Sequence, residues 1–223
     1  MGLWERYVVP PLVSCACSSK PIMKQREKVV PRATGRVLEV GCGSGTNFGY
    51  YDADAVDELI ALEPSPGMIK RAKATADATG MQMPVTFIEA GAEDTGLEDN
   101  SVDTAVVTFV LCTIPDWRGA LEEVRRVLKP GGKVVFTEHG RAPDEGVAKW
   151  QKRIEPVWKS LAGGCHLTRD TGEMLREGGF TLTDEETMYL PSTPRIAGFV
   201  SWGEARIACG VRPIFLSLTG RLI

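Results

Sequence analysis

The sequence predicts an α/β fold, a largely parallel sheet of seven strands with helices on both faces. Three observations lead there. Strand-length apolar runs alternate with helical patterns over residues 36–140. One of those runs, "DTAVVTFV", is almost continuously apolar, as a strand buried on both faces must be. The first run, "VLEV", passes straight into a turn carrying Gly41, Gly43 and Gly45, the place where a doubly wound sheet receives its ligand.

In chain order, residues 20–30 read as a short helix that stops before Pro31, and 36–40 as the first strand. Residues 58–62 form the second strand. Pro64, Ser65 and Pro66 then open a helix over 67–78, with Gly80 where a C-terminal cap belongs. Strands three and four cover 85–89 and 102–109. Trp117, Leu121, Val124 and Leu128 recur at helical spacing until "LKPGG" ends the helix, and 133–137 is strand five. Helices over 145–161 and 168–177 follow, the second with Thr168 as N-cap. Strands over 181–189 and 196–206 close the sheet. No repeat or linker divides the chain. The expected organisation is an arm and helix over 1–34 covering a pocket, a main domain over 35–207, and a tail over 208–223.

With 223 residues, 43% of them hydrophobic and 25% charged, the chain can bury a core unaided. A formal net charge of -3 and scattered Lys and Arg argue against a nucleic-acid partner. The six cysteines include one close pair, Cys15 and Cys17, whose one-residue gap does not suit a metal or redox CxxC. With two histidines in the chain, no metal site is expected, and reduced thiols point to the cytoplasm. The N-terminus lacks a cationic segment ahead of its apolar run, which Pro10 and Pro11 break, and Arg6 stands where a myristoylation motif takes Ser or Thr. No run approaches the roughly 18 apolar residues of a membrane span. Leu3, Trp4, Tyr7, Val8 and Val9 could rest on a membrane surface, giving peripheral contact, or cover a pocket.

The glycine turn narrows the ligand. Glycines there let the backbone turn sharply and approach a ligand closely. A dinucleotide takes G-x-G-x-x-G, with pyrophosphate on the helix N-terminus. Here the third glycine comes one residue early and Thr46 occupies the dinucleotide position. Glu39, two residues before the turn, would repel a pyrophosphate and suits a cationic ligand such as an ammonium or sulfonium. Glu63 ends the second strand, where a carboxylate can take both hydroxyls of a ribose. The plainer reading of both acids is as solvated strand ends.

Four motifs in order, "VLEVGCGSG", "LEPS", "GAEDTGLEDNSVDTAVVTFVL" and "VLKPGGKVVFTEHG", resemble class I S-adenosylmethionine-dependent methyltransferases of the type 11 kind, over residues 36–140. That resemblance implies a Rossmann-like fold and S-adenosyl-L-methionine as cofactor. It implies that Glu39, Gly41, Cys42 and Gly43 line the methionine end, that Glu63 holds the ribose, and that Pro64, Ser65 and Met68 flank the adenosine. Ala92 and Glu93 are then at the adenine edge, and Thr108, Phe109 and Val110 lie beneath the sulfonium.

The acceptor is less defined. Transfer from a sulfonium needs alignment above all, and a base only where the acceptor arrives protonated. His139, after strand five, and His166, in "GGCHLTRD", are the candidate catalytic residues, each weighed against a structural role. Cys112 and Cys165 read as small apolar fillers. Trp150, Trp158, Phe180, Met188 and Tyr189 suggest an apolar pocket wall, or simply core. The segment "RIEPVWKSLAGGCHLTRDTGEMLREGGF" resembles the methyltransferase-like thiol methyltransferases of animals. This implies a small alkyl thiol acceptor and an N-terminal membrane anchor, for which the arm here is short and broken by proline. The core also resembles quinone C-methyltransferases and phospholipid N-methyltransferases. A dinucleotide-dependent oxidoreductase and a non-catalytic cofactor-binding protein stand outside the class. The expectation is methyl transfer to a small apolar acceptor, an alkyl thiol first.

Overall fold

In the computed structural model, residues 19–208 are described, and the terminal segments carrying the expected arm and tail lie outside them. Seven strands form one sheet in the order β3-β2-β1-β4-β5-β7-β6. They are β1 (Gly35–Val40), β2 (Val56–Leu62), β3 (Val85–Ile88), β4 (Val102–Thr108), β5 (Leu128–His139), β6 (Phe180–Tyr189) and β7 (Phe199–Ile207). The first five run parallel, and β7 lies antiparallel between β5 and β6.

The chain order reverses between β1 and β4, which opens a crevice at their carboxyl ends. Register makes that rim level. Val40 at the end of β1 pairs with Leu62 at the end of β2 and with Val107 near the end of β4. The loops that follow these strands therefore leave the sheet side by side.

Alternation along the central strands sends side chains into two cores. Leu38, Val40, Ile60, Leu62 and Val107 pack on one face with Leu121, Val124 and Leu175. Val37, Leu59, Ala61 and Val106 pack on the other with Phe48, Tyr51 and Ala72. The covering helices are α1 (Lys20–Val29), α2 (Pro66–Thr79), α3 (Trp117–Val127), α4 (Glu145–Leu161), α5 (Thr171–Glu177) and the single turn α6 (Arg195–Gly198). Val29 of α1 packs with Val135, Val200 and Trp202, which holds that helix against β5 and β7.

Most boundaries fall as expected, and the departures have local causes. Strand β5 starts at Leu128 because Leu128 already pairs with Val102 before the register shifts to Lys133 opposite Thr104. Helix α5 begins three residues later than expected: Asp170, not Thr168, is its N-cap, accepting the Glu173 N–H at 3.0 Å. The last strand begins at Phe199, because residues after Pro194 first complete the turn α6.

Candidate active site

The turn after β1 is held by positive φ at Gly41 (66°) and Gly43 (56°). The two glycines serve different needs. A Cβ on Gly41 would lie 2.4 Å from Cγ2 of Val110, so the loop after β4 closes directly on it. A Cβ on Gly43 would meet nothing within 4 Å. The space beside Gly43 belongs to a cavity of about 490 Å³ at the sheet rim, a size suited to a small-molecule ligand.

Gly41, Cys42, Gly43, Glu63, Pro64 and Met68 line that cavity. So do Ala92 and Glu93 after β3, and Thr108, Phe109 and Val110 after β4. Thr113, Ile114, Pro115 and Gly163 add to the wall. Glu63 is fixed by backbone: Gly43 N–H donates to its Oε2 at 3.1 Å and Ser65 N–H to its Oε1 at 3.0 Å. Burial raises its pKa, while those two donors oppose the rise. Each carboxylate oxygen keeps accepting capacity beyond one bond. Ser65 departs from expectation, since it is absent from the lining and its Oγ caps α2 by accepting the Met68 N–H.

Glu39 also departs from it. Its side chain is neither solvated nor in the cavity wall, being 2% exposed beneath the turn. Asn47 Nδ2 donates to its Oε1 at 2.8 Å and the Tyr51 hydroxyl to its Oε2 at 2.9 Å. Burial pushes the Glu39 carboxyl up to about 7, against the opposing pull of Tyr51, Arg26 and Asn47. Asn47 and Tyr51 come from the turn itself, which folds back over the end of β1.

Arg26 of α1 completes this network. Its Nη1 donates to Asn47 Oδ1 at 2.7 Å and to Thr108 Oγ1 at 2.8 Å, and its guanidinium lies over the Phe109 ring at 5.2 Å. Unlike Glu39 it lines the cavity. A buried cation at a ligand wall was not legible in the sequence, where Arg26 is one basic residue among several in "KPIMKQREKV".

Neither histidine lines the cavity. His139 ends β5, and its Nε2 lies 2.9 Å from Cys165 Sγ. The side chain of Cys112, after β4, closes the group: its sulfur, Cys165 Sγ and the His139 nitrogen lie within 4.8 Å of one another. Trp158 Nε1–H donates to Cys165 Sγ at 3.2 Å. The Cys165 thiol is held well below its ordinary pKa, by Cys112 foremost and then by His139 and Trp158, which together outweigh burial. Burial alone would lower the His139 pKa, but Cys165 and Glu138 bring it above the ordinary value. His166 is set apart, with Nδ1 3.2 Å from Glu155 Oε1, which anchors the loop ahead of α5.

None of the five residues read as an apolar pocket wall, or simply as core, lines this cavity. Phe180 is core, Met188 packs against the group around Trp202, and Tyr189 stands edge-on to Phe199 at 5.3 Å. Trp150 is 58% exposed. Trp158 alone of the five reaches a candidate functional group, through Cys165.

The family model described as a methyltransferase domain matches residues 38–136. The thiol S-methyltransferase TMT1B of Homo sapiens is 36% identical over 190 residues, covering 81% of this chain and 77% of that protein. The chain belongs to the S-adenosylmethionine-dependent methyltransferases. A demethylmenaquinone methyltransferase of Clavibacter sepedonicus is 30% identical over 189 residues, covering 82% of this chain and 73% of its own. A crystal structure of a SAM-dependent methyltransferase from Methanosarcina mazei shares the fold with a TM-score of 0.61 and 18% identity, covering 85% of this chain and 98% of that one. The protein is therefore an enzyme of this class and its cofactor is S-adenosylmethionine. The open space beside Gly43 and the Glu63 carboxylate at the end of β2 fit that cofactor. Among the described residues, no helix of this methyltransferase is long and apolar enough to cross a membrane.

Proposed function

We propose that this methyltransferase transfers the methyl group of S-adenosylmethionine to the sulfur of a small alkyl thiol. The observation that supports the acceptor is the likeness, over most of the chain, to proteins named as thiol S-methyltransferases. Bound cofactor supplies an electrophilic methyl. The acceptor sulfur gives its lone pair to that carbon as the carbon–sulfonium bond breaks, leaving S-adenosylhomocysteine, and the thiol proton passes to solvent.

The chain's part is to bind and align, which can contribute ~7 kcal/mol or more to the barrier reduction. In this reading Glu63 accepts hydrogen bonds from the ribose hydroxyls, and Gly43 gives the cofactor room to pass. Ala92 and Glu93 meet the adenine edge, with Pro64 and Met68 against the adenosine. Thr108, Phe109 and Val110 support the reactive end. Arg26 faces the carboxylate of the methionine moiety, and Glu39 acts from below by fixing Asn47 and Arg26 rather than by touching cofactor. Residues 35–207 are the catalytic unit, and α1 is part of its cover because it carries Arg26 into the cavity wall.

Purified enzyme assayed by mass spectrometry for S-adenosylhomocysteine, with alkyl thiols, a demethylated naphthoquinol and phosphatidylethanolamine as acceptors, tests the proposal. Turnover with thiols well above the other two is expected. Turnover with the naphthoquinol alone would transfer the protein to the quinone branch of the family.

A further inference from the structure

We propose that Cys112, His139 and Cys165 form a binding site for one thiophilic divalent cation of the zinc class. Two thiolates and one imidazole bind it, and a fourth position is left to an exogenous donor. The two sulfurs and the Nε2 nitrogen lie within 4.8 Å of one another. They come from three separate segments: the loop after β4, the end of β5, and the loop between α4 and α5. Neither sulfur is in a disulfide, and both cysteines are buried.

The donor set selects the ion. Two sulfurs and one imidazole suit zinc, whereas magnesium and calcium take oxygen ligands. Tetrahedral coordination with the usual zinc–sulfur and zinc–nitrogen bond lengths separates sulfur from nitrogen by about 3.6 Å. The 2.9 Å Cys165–His139 contact must open slightly, as expected when a metal replaces the proton the two atoms share. Binding releases two protons to solvent, that of the Cys112 thiol and the one shared by Cys165 and His139.

The surroundings hold the three donors in place before any ion arrives. Glu138 Oε1 accepts the N–H groups of Val110 at 2.6 Å and Leu111 at 3.0 Å, tying the segment just before Cys112 to the residue just before His139. His166 N–H donates to the Cys112 carbonyl at 2.9 Å, tying the residue after Cys165 to Cys112 itself. Arg169 Nη1 donates to the Ile114 carbonyl at 2.8 Å and to the Leu111 carbonyl. The indole N–H of Trp158 on Cys165 Sγ is the kind of outer hydrogen bond that tempers the charge of a ligating thiolate. Among the described residues no fourth His, Cys, Asp or Glu joins the group, an arrangement shared by zinc sites that keep one position open. The cluster borders the catalytic cavity, since Thr113 beside Cys112 and Gly163 near Cys165 both line it. The site stands on these contacts and does not depend on the acceptor being a thiol.

The test uses the full chain, reduced and dialysed against chelator, titrated with Zn²⁺ against a chromophoric competitor and separately with Co²⁺. One equivalent of Zn²⁺ is expected, and Co²⁺ should give intense ligand-field bands with a thiolate-to-cobalt charge-transfer band. Cys165→Ser and His139→Ala should each weaken Zn²⁺ binding by more than the roughly 10–100-fold typical for losing an outer partner, while S-adenosylmethionine affinity shows that the variants are folded. Failure of the reduced wild-type protein to retain Zn²⁺ would overturn the proposal, and so would retention unchanged in both variants. The Co²⁺ spectrum of the wild-type protein needs no variant, so the proposal stays testable even if a substitution prevents folding.

Discussion

Two parts of the same sheet rim are built on opposite rules. In the turn after β1, glycines leave space where the cavity needs it, the side chains that line it, Cys42, Ser44 and Thr46, are small, and Glu39 and Asn47 are buried out of the wall. Across β4 and β5, side chains crowd together: two thiols, an imidazole and an indole contact one another, and the neighbouring Glu138 carboxylate accepts the Val110 and Leu111 N–H groups. The first design is what a large ligand requires. The second fixes loops and concentrates reactive groups beside the cavity without opening them to it. Yet each part buries one carboxylate at a strand end, Glu39 in the first and Glu138 in the second, and burial pushes both up to about 7. A strand end that closes beneath its loop thus buries its acid whether the loop is open to ligand or packed.

The sharpest way to break this contrast is at the two glycines. Gly43→Val points a branched side chain into the cavity and strains a left-handed backbone position, and calorimetry should find S-adenosylmethionine binding lost, with a folded protein of somewhat lower Tm remaining. Gly41→Ala instead meets Val110, so its main effect should be a lowered Tm. If both variants lose stability alike and Gly43→Val still binds cofactor, the turn does not hold ligand.

The next effect concerns the two acids. A carboxyl whose folded pKa is raised favours the folded state at low pH, and that contribution is lost as pH climbs. For Glu39 the window runs from its ordinary value of 4.5 to about 7. A shift of that size in a buried group is worth at most about 3 kcal/mol. Urea unfolding from pH 5 to 8 should show wild-type stability falling across this window, and Glu39→Gln should flatten the curve. Glu138→Gln should flatten it independently, since its amide oxygen can still accept from Val110 and Leu111. Identical curves for wild type and both variants would mean that neither acid is buried as a neutral group.

Glu63→Ala should weaken S-adenosylmethionine by on the order of 1–3 kcal/mol, the loss of hydrogen bonds to a charged group. The smallest effect belongs to Ser65→Ala. Loss of its cap on α2 should cost ~1 kcal/mol of stability, with cofactor affinity unchanged. A weakened cofactor with full stability would return Ser65 to the binding site.

The cofactor side was legible in the sequence for physical reasons. Glycine at alternate positions after a strand, and an acid at the end of the next, are constraints that a ligand imposes locally on the chain. Residues of the cavity wall such as Met68, Ala92 and Val110 followed from those motifs. Glu39 was placed at the right strand end but not at the right depth, because its cover, Asn47 and Tyr51, lies in a turn whose course no local pattern reveals. Arg26 was missed because it reaches the cavity wall only when α1 docks on the rim. The Cys112, His139 and Cys165 cluster was invisible for the same reason, as spacing rules detect ligands that are neighbours in sequence. The choice between pocket wall and core for Trp150, Trp158, Phe180, Met188 and Tyr189 was not legible, because residue type does not say which face of β6 or α4 a side chain takes.

The role proposed for Glu63 is to bind the cofactor ribose in this cavity. Titrating S-adenosylmethionine and its analogue lacking the 2′ and 3′ hydroxyls into wild type and Glu63→Ala by calorimetry tests it most directly. The analogue should bind wild type more weakly than the cofactor does, while Glu63→Ala should bind the two alike. An equal penalty for the missing hydroxyls in both proteins would contradict it.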